Sequence, residues 1–120
     1  MLVEVEQKRD ICIVRFHGRL TTGAELEYLG TKSEEIKKAG CPKLLADFRE
    51  VASVGSTGIG FVVNLYTTVT RNPDGRFVLV GANSRVREVL DLTRLSSILP
   101  LAPTFESGLA YLEGRAAPAV

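Results

Sequence analysis

The chain has almost no excess of either charge. Its 120 residues carry 15 basic and 14 acidic side chains, a formal net charge of +1. No long-range pull on nucleic acid or on an anionic membrane is therefore indicated. There are only two cysteines, Cys12 and Cys41, far apart and in no C-x-x-C pair. That usage predicts reduced, mostly buried thiols of an intracellular protein and not a disulfide framework. No run approaches the ~20 apolar residues of a membrane span. The opening MLVEVEQKRD has neither a basic n-region nor a long apolar h-region, so no signal peptide is expected and the cytoplasm is the expected compartment. No Gly-Lys-Ser/Thr triplet occurs, which excludes a Walker loop. Paired carboxylates, metal-ligand spacing and a catalytic triad are all missing. The expectation is no enzyme, no metal and no cofactor.

What is present is an ordinary globular composition, 45% hydrophobic and 24% charged, at the length of one domain. Leu2 to Glu6 and Ile11 to Phe16 alternate apolar and polar about a polar Gln7 to Asp10, which predicts a hairpin. Leu26, Leu29, Ser33 and Ile36 mark one side of a helix that Gly40 and Pro42 end. Leu44 to Phe48 is a short apolar run, as in a strand buried on both faces. Ile59, Val62, Val63 and Tyr66 predict a second helix with that face inward. After the turn at Asn72-Pro73-Asp74-Gly75, Phe77 to Val80 is another buried strand. Ser84 can cap a third helix with Val86, Val89 and Leu90 inward. Ile98 to Leu101 is a last strand, placed at a sheet edge because Pro100 lacks an N–H. Thr104 can cap a final helix carrying Phe105, Leu109 and Leu112. The predicted order is β-β-α-β-α-β-α-β-α: an α/β fold with a mixed, mostly parallel sheet of about five strands and about four helices. The domain is expected over residues 1–114, with 115–120 a flexible tail.

The chemistry concentrates in Gly55-Ser56-Thr57-Gly58-Ile59-Gly60, between a strand and a helix. A dinucleotide loop belongs after the first strand of a βαβ unit, and this one follows the third. A phospho-receiver with Asp47 as acceptor would need a late lysine, and the last lysine is Lys43. Two readings remain. Ser56 is either a plain N-cap among small residues, or a hydroxyl that receives a phosphate at the positive end of the helix dipole.

The stretch LLADFREVASVGSTGIGFVVNLY resembles the signature of the STAS domain, a strand and an acid, then a connector, D-S-S/T-G-L-G and a helix. Here the strand is Leu44 to Asp47 and the connector Phe48 to Val54. CIVRFHGRLTTGAELEYL is similar to that family's second strand, loop and first helix, and GRFVLVGANSRVREVLDLTRLSSILPLAPTFESGLAYL to its end. The resemblance implies a stand-alone anti-sigma factor antagonist. Its partner would be an anti-sigma factor with serine kinase activity, opposed by a serine phosphatase. The phosphorylated residue would be Ser56, with Thr57 second. The partner-binding face would comprise Thr21, Thr22, Gly55, Ser56, Thr57, Gly58 and Ile59. Two acids of the family pattern are replaced, by Gly55 before the serine and by Thr21 in the loop after the second strand. A scaffold subunit of a stress-signalling assembly, never phosphorylated, is the rival within the binding class. A small ligand-binding protein is the rival outside it.

The remaining polar residues read as structural. His17 fits a half-exposed strand end, Asp47 a hydrogen-bonded strand-end acid, and Arg85, Arg87 and Arg94 a solvated helix face.

Overall fold

The structure, a computed structural model, describes residues 2–20 and 26–114, with the side chains of residues 19, 20 and 26 left aside. The expected tail lies outside the described residues. Strand β1 (Leu2–Lys8) and strand β2 (Ile11–Leu20) form an antiparallel hairpin about Arg9 and Asp10, with Lys8 opposite Ile11. Helix α1 (Leu26–Ala39) leads to β3 (Lys43–Val54), α2 (Ser56–Thr70), β4 (Arg76–Val80), α3 (Ser84–Leu92), β5 (Leu101–Ala102) and α4 (Phe105–Leu112). The sheet runs β1-β2-β3-β4-β5, parallel from β2 onward. The expected fold class and element order are borne out.

Strand alternation divides the core. Val14, Phe16, Leu44, Ala46, Phe48, Phe77 and Leu79 face α1, α2 and α3. Ile13, Leu45, Val78 and Val80 face α4 alone. Gly108 lets α4 lie flat on that second face, because a Cβ there would collide with the Val80 side chain.

Several local expectations need correction. Strand β3 does not stop at Phe48: it continues through the supposed connector to Val54, paired with β2 as far as Leu20 opposite Val54. A bulge at Arg15/His17 interrupts the alternation and lets a long strand look like a short one plus a loop. The last strand is only Leu101–Ala102, and Ile98 is exposed at 55%. Pro100 lies just before it and joins the sheet through its carbonyl, which accepts the Leu79 N–H at 3.0 Å. Helix α3 is capped by Asn83 and not by Ser84; Asn83 Oδ1 accepts the Val86 N–H at 2.9 Å. Thr104 caps α4 as expected, in a reciprocal box with Ser107.

The cysteines are also corrected: Cys12 and Cys41 form a disulfide, with Cα atoms 5.8 Å apart. The cause is sheet register. Cys12 pairs with Leu44 across the β2–β3 ladder, so the segment entering β3 runs past it. A sequence separation of 29 carries no trace of that neighbourhood.

Candidate functional site

Strand β3 delivers the chain to α2 at the carboxyl end of the parallel strands, where loops of α/β sheets gather their sites. Gly55 is the N-cap residue of α2, in extended conformation at φ −116°. Ser56 is thus the first helical residue and not the cap, and Gly55 offers no side-chain bond to the helix. The first intrahelical bond runs from the Ile59 N–H to the Gly55 carbonyl at 2.9 Å. The N–H groups of Ser56, Thr57 and Gly58 come before it and lie at the open end of the helix.

Ser56 is exposed, and its hydroxyl has no partner among the described residues. Gly55 and Thr57 are half-buried beside it. Gly58 is buried, and Ile59 packs partly against the core. Thr21 and Thr22 lie outside the described residues. The inward face of α2 is Gly58, Phe61, Val62, Leu65 and Val69. Of the four residues expected there, only Val62 is fully buried, while Ile59, Val63 and Tyr66 are half-buried at the flanks.

Beside Ser56 a groove of about 490 Å³ runs between α1 and α2, lined among others by Gly30, Ser33, Ser56, Thr57, Gly60 and Asn64. Glu34 and Lys37 on its wall pair with each other at 3.8 Å. The α1 contribution is invisible in the glycine-rich motif, since Gly30 and Ser33 reach it only through helix packing. Their one sequence signal is small residues three apart on a helix.

Asp47 is a separate structure on the α4 face. It lies within β3 and not at its end, and it is 4% exposed. Arg49 donates to it from its backbone N–H at 3.1 Å, from Nε at 3.0 Å and from Nη2 at 2.7 Å, and Arg15 Nε lies 3.6 Å away. Burial alone would push this carboxyl up; the Arg49 hydrogen bonds and both guanidinium charges outweigh it and hold it below the usual carboxylate value. Both guanidiniums stack on Phe105, at 5.0 Å for Arg49 and 5.9 Å for Arg15. This is a pinned acid that ties β2, β3 and α4 together. His17 lies inside β2, half-exposed, with Nε2 at 2.6 Å from Glu4. Arg85 and Arg94 are exposed, and Arg87 pairs with Asp91 at 3.3 Å. No group of three metal-ligating side chains occurs among the described residues, and no helix is long and apolar enough to cross a membrane.

Known proteins share this architecture. The STAS domain family model matches residues 3–108. A Thermotoga neapolitana homologue named as an anti-sigma factor antagonist is 33% identical over 82 residues, 68% of this chain and 72% of its own. The anti-sigma F factor antagonist of Paenibacillus polymyxa is 23% identical over 111 residues, 92% and 94% of the two chains. Among solved structures, the anti-sigma factor antagonist SpoIIAA in its unphosphorylated form superposes with a TM-score of 0.76 at 21% identity, covering 94% of this chain and 97% of that one. The Bacillus SpoIIAA structure in the phosphorylated form gives 0.68 at 20% identity, over 92% and 99%. At such identities the superpositions speak for the fold.

Proposed function

The chain belongs to the STAS domain family, and from that membership we propose that it is an anti-sigma factor antagonist switched at Ser56. Unphosphorylated, it binds an anti-sigma factor with serine kinase activity and so frees a sigma factor. The kinase moves the γ-phosphoryl of ATP to Ser56 Oγ, ADP leaves, the hydroxyl proton is released, and the complex parts. A serine phosphatase restores the first state. The chain itself catalyses nothing, holds no metal or cofactor, and meets neither nucleic acid nor membrane directly. Its place in this reading is the cytoplasm, beside the transcription machinery, a reducing compartment that works against the Cys12–Cys41 bond.

The observation that carries this reading is Ser56 itself: an exposed hydroxyl, without a partner among the described residues, on the first residue of a 15-residue helix. A phosphate there brings roughly two negative charges. Within the chain it is welcome at the helix N-terminus. Against a closely packed partner it brings charge and hydration into the contact, so release is the expected sign. That SpoIIAA is known in both states supports a switch of this kind.

One observation favours a second reading. Gly55 and Thr21 stand where the signature carries acids, and the first turn of α2 holds no acidic residue. A scaffold that binds the same class of partner without taking phosphate would need neither acid.

The test incubates the wild type, Ser56→Ala and Thr57→Ala with each anti-sigma factor kinase of the same genome and Mg-ATP. Mass spectrometry then locates the phosphate. Transfer to Ser56, lost in Ser56→Ala and kept in Thr57→Ala, is the expected result. Ser56→Asp should weaken kinase binding by about tenfold or more, and Ser56→Ala should leave it nearly intact. Phosphate on Thr57 alone would move the switch by one residue. Binding without transfer on any variant would establish the scaffold.

A further inference from the structure

The groove between α1 and α2 has three features that the packing of this chain does not explain. Ser33 is 6% exposed, its hydroxyl has no hydrogen-bond partner among the described residues, and it lines the groove. A buried hydroxyl left unpaired costs about 1–3 kcal/mol, so its partner is expected from outside the chain. Gly30 and Gly60 stand inside helices, where glycine costs roughly 0.5–1 kcal/mol relative to alanine. A Cβ on either would meet nothing within 4 Å. The fold needs neither glycine, but a second backbone passing close over them would. Finally, α2 begins with an N-cap that makes no side-chain bond and a first turn without an acid. Its free N–H groups and the positive end of its dipole lie at the head of the same groove, uncompensated. The two wall charges, Glu34 and Lys37, cancel each other.

We propose that this groove takes a segment of a partner protein that presents a carboxylate side chain to the N-terminus of α2, accepts the Ser33 hydroxyl and crosses closely over Gly30 and Gly60. For the identity of that partner, the anti-sigma factor, this rests on the reading given above. Charge complementarity selects the acid: a carboxylate supplies the counter-charge that Gly55 does not. It also gives release a specific cause. A phosphate on Ser56 would take the same N–H donors and repel the same carboxylate.

The test needs no anti-sigma factor. A phage-displayed library of random linear peptides is panned against the wild type, and synthetic copies of enriched peptides are titrated by calorimetry and by amide chemical shifts. Peptides sharing an Asp or Glu should shift Ser33, Ser56, Thr57 and Gly60. Binding should fall by about tenfold in Gly60→Leu, which fills the groove, and less in Gly60→Ala. It should fall in Gly55→Asp but not in Gly55→Ala, which adds a side chain without an acceptor, so the loss is traced to the acid at the helix end. Thr67→Leu, on an exposed part of α2 outside the groove, should bind as the wild type does. Thermal melts of Gly60→Ala and Gly60→Leu at or above the wild-type midpoint show that the fold is intact. The proposal is overturned if no peptide is enriched, if Gly60→Leu binds unchanged, or if Gly55→Asp and Gly55→Ala bind alike. If the groove passes while every anti-sigma factor kinase fails to bind, it is the antagonist reading that falls.

Discussion

Replacing Asp47 by asparagine keeps its shape and removes its charge. The carboxylate is 4% exposed and accepts from the backbone N–H, Nε and Nη2 of Arg49, with Arg15 nearby. Breaking a fully buried ion pair by removing one partner costs about 3–5 kcal/mol. Here the arginine side chains remain 48% and 34% exposed, so they can turn to water and the penalty shrinks. In the Asp47→Asn variant the amide oxygen would still accept from the Arg49 backbone, but the amide nitrogen would face the Nη2 donor. One charge-assisted bond is lost, about 2 kcal/mol at neutral pH. The pH dependence has a definite sign. The folded pKa lies below the unfolded value of about 3.9. The stability from this group is therefore present above that value and is lost as pH falls through the folded one. Urea unfolding followed by circular dichroism should show wild type and Asp47→Asn about 2 kcal/mol apart at pH 7, with the gap narrowing below pH ~4. Other carboxylates titrate in both proteins and drop out of the difference. A gap equally wide at pH 3, or no gap at pH 7, would refute the electrostatic account and leave Asp47 a mere space-filler.

Other outcomes are checked by the same melts. Val62→Asp should cost on the order of 3 kcal/mol or more, because it buries an unpaired charge, and Val63→Asp less than half as much, since Val63 lies half-buried on the flank of α2. Equal costs would mean that the face of α2 is assigned wrongly. Reducing Cys12–Cys41, which closes a loop with a sequence separation of 29, should lower stability by about 3–4 kcal/mol on chain-entropy grounds, and a Cys12→Ser/Cys41→Ser double variant should not respond to dithiothreitol. Thr104→Ala should lose about 1 kcal/mol with the capping box at α4.

The order of elements is legible in the residues because β1 and β2 alternate apolar and polar, β3 and β4 carry short apolar runs, and most connections hold a glycine, a proline or a capping side chain. Four features are not, each for a physical reason. The length of β3 is hidden because Arg49, Glu50 and Ser53 lie on a strand whose pairing with β2 is bulged. The phase of α2 is hidden because Ile59, Phe61, Val62, Val63, Leu65, Tyr66 and Val69 cover more than half of its circumference, so more than one face satisfies helical spacing and the sheet chooses among them. The disulfide depends on register, which no local pattern encodes. The cap of α3 falls to Asn83 because its Nδ2 also reaches the Val51 and Ala52 carbonyls at 3.0 and 3.2 Å, a tertiary gain Ser84 could not make. Ser56 and its glycines are legible as a motif, but half of the groove beside them comes from α1 and is set by packing.

The two ends of the parallel strands divide the work. At the amino end, Cys41 and Cys12 join the entry of β3 to β2. At the carboxyl end, the N-cap of α2 makes no side-chain bond, its first residue presents an exposed hydroxyl, and Ser33 in the adjoining groove has no hydrogen-bond partner among the described residues. The unpaired Ser33 hydroxyl lowers the stability of the isolated chain, and in the proposed complex the partner would give it an acceptor and the helix end a counter-charge. Gly55 is central to that arrangement. An aspartate there would cap α2 from within and leave less positive potential for a partner or a phosphate to use. Glycine keeps the helix end open, so in the proposed switch a phosphate placed on Ser56 by the bound kinase would displace the partner's carboxylate from it. A switch of this kind needs no conformational change in the domain, only competition for three N–H groups and one helix dipole.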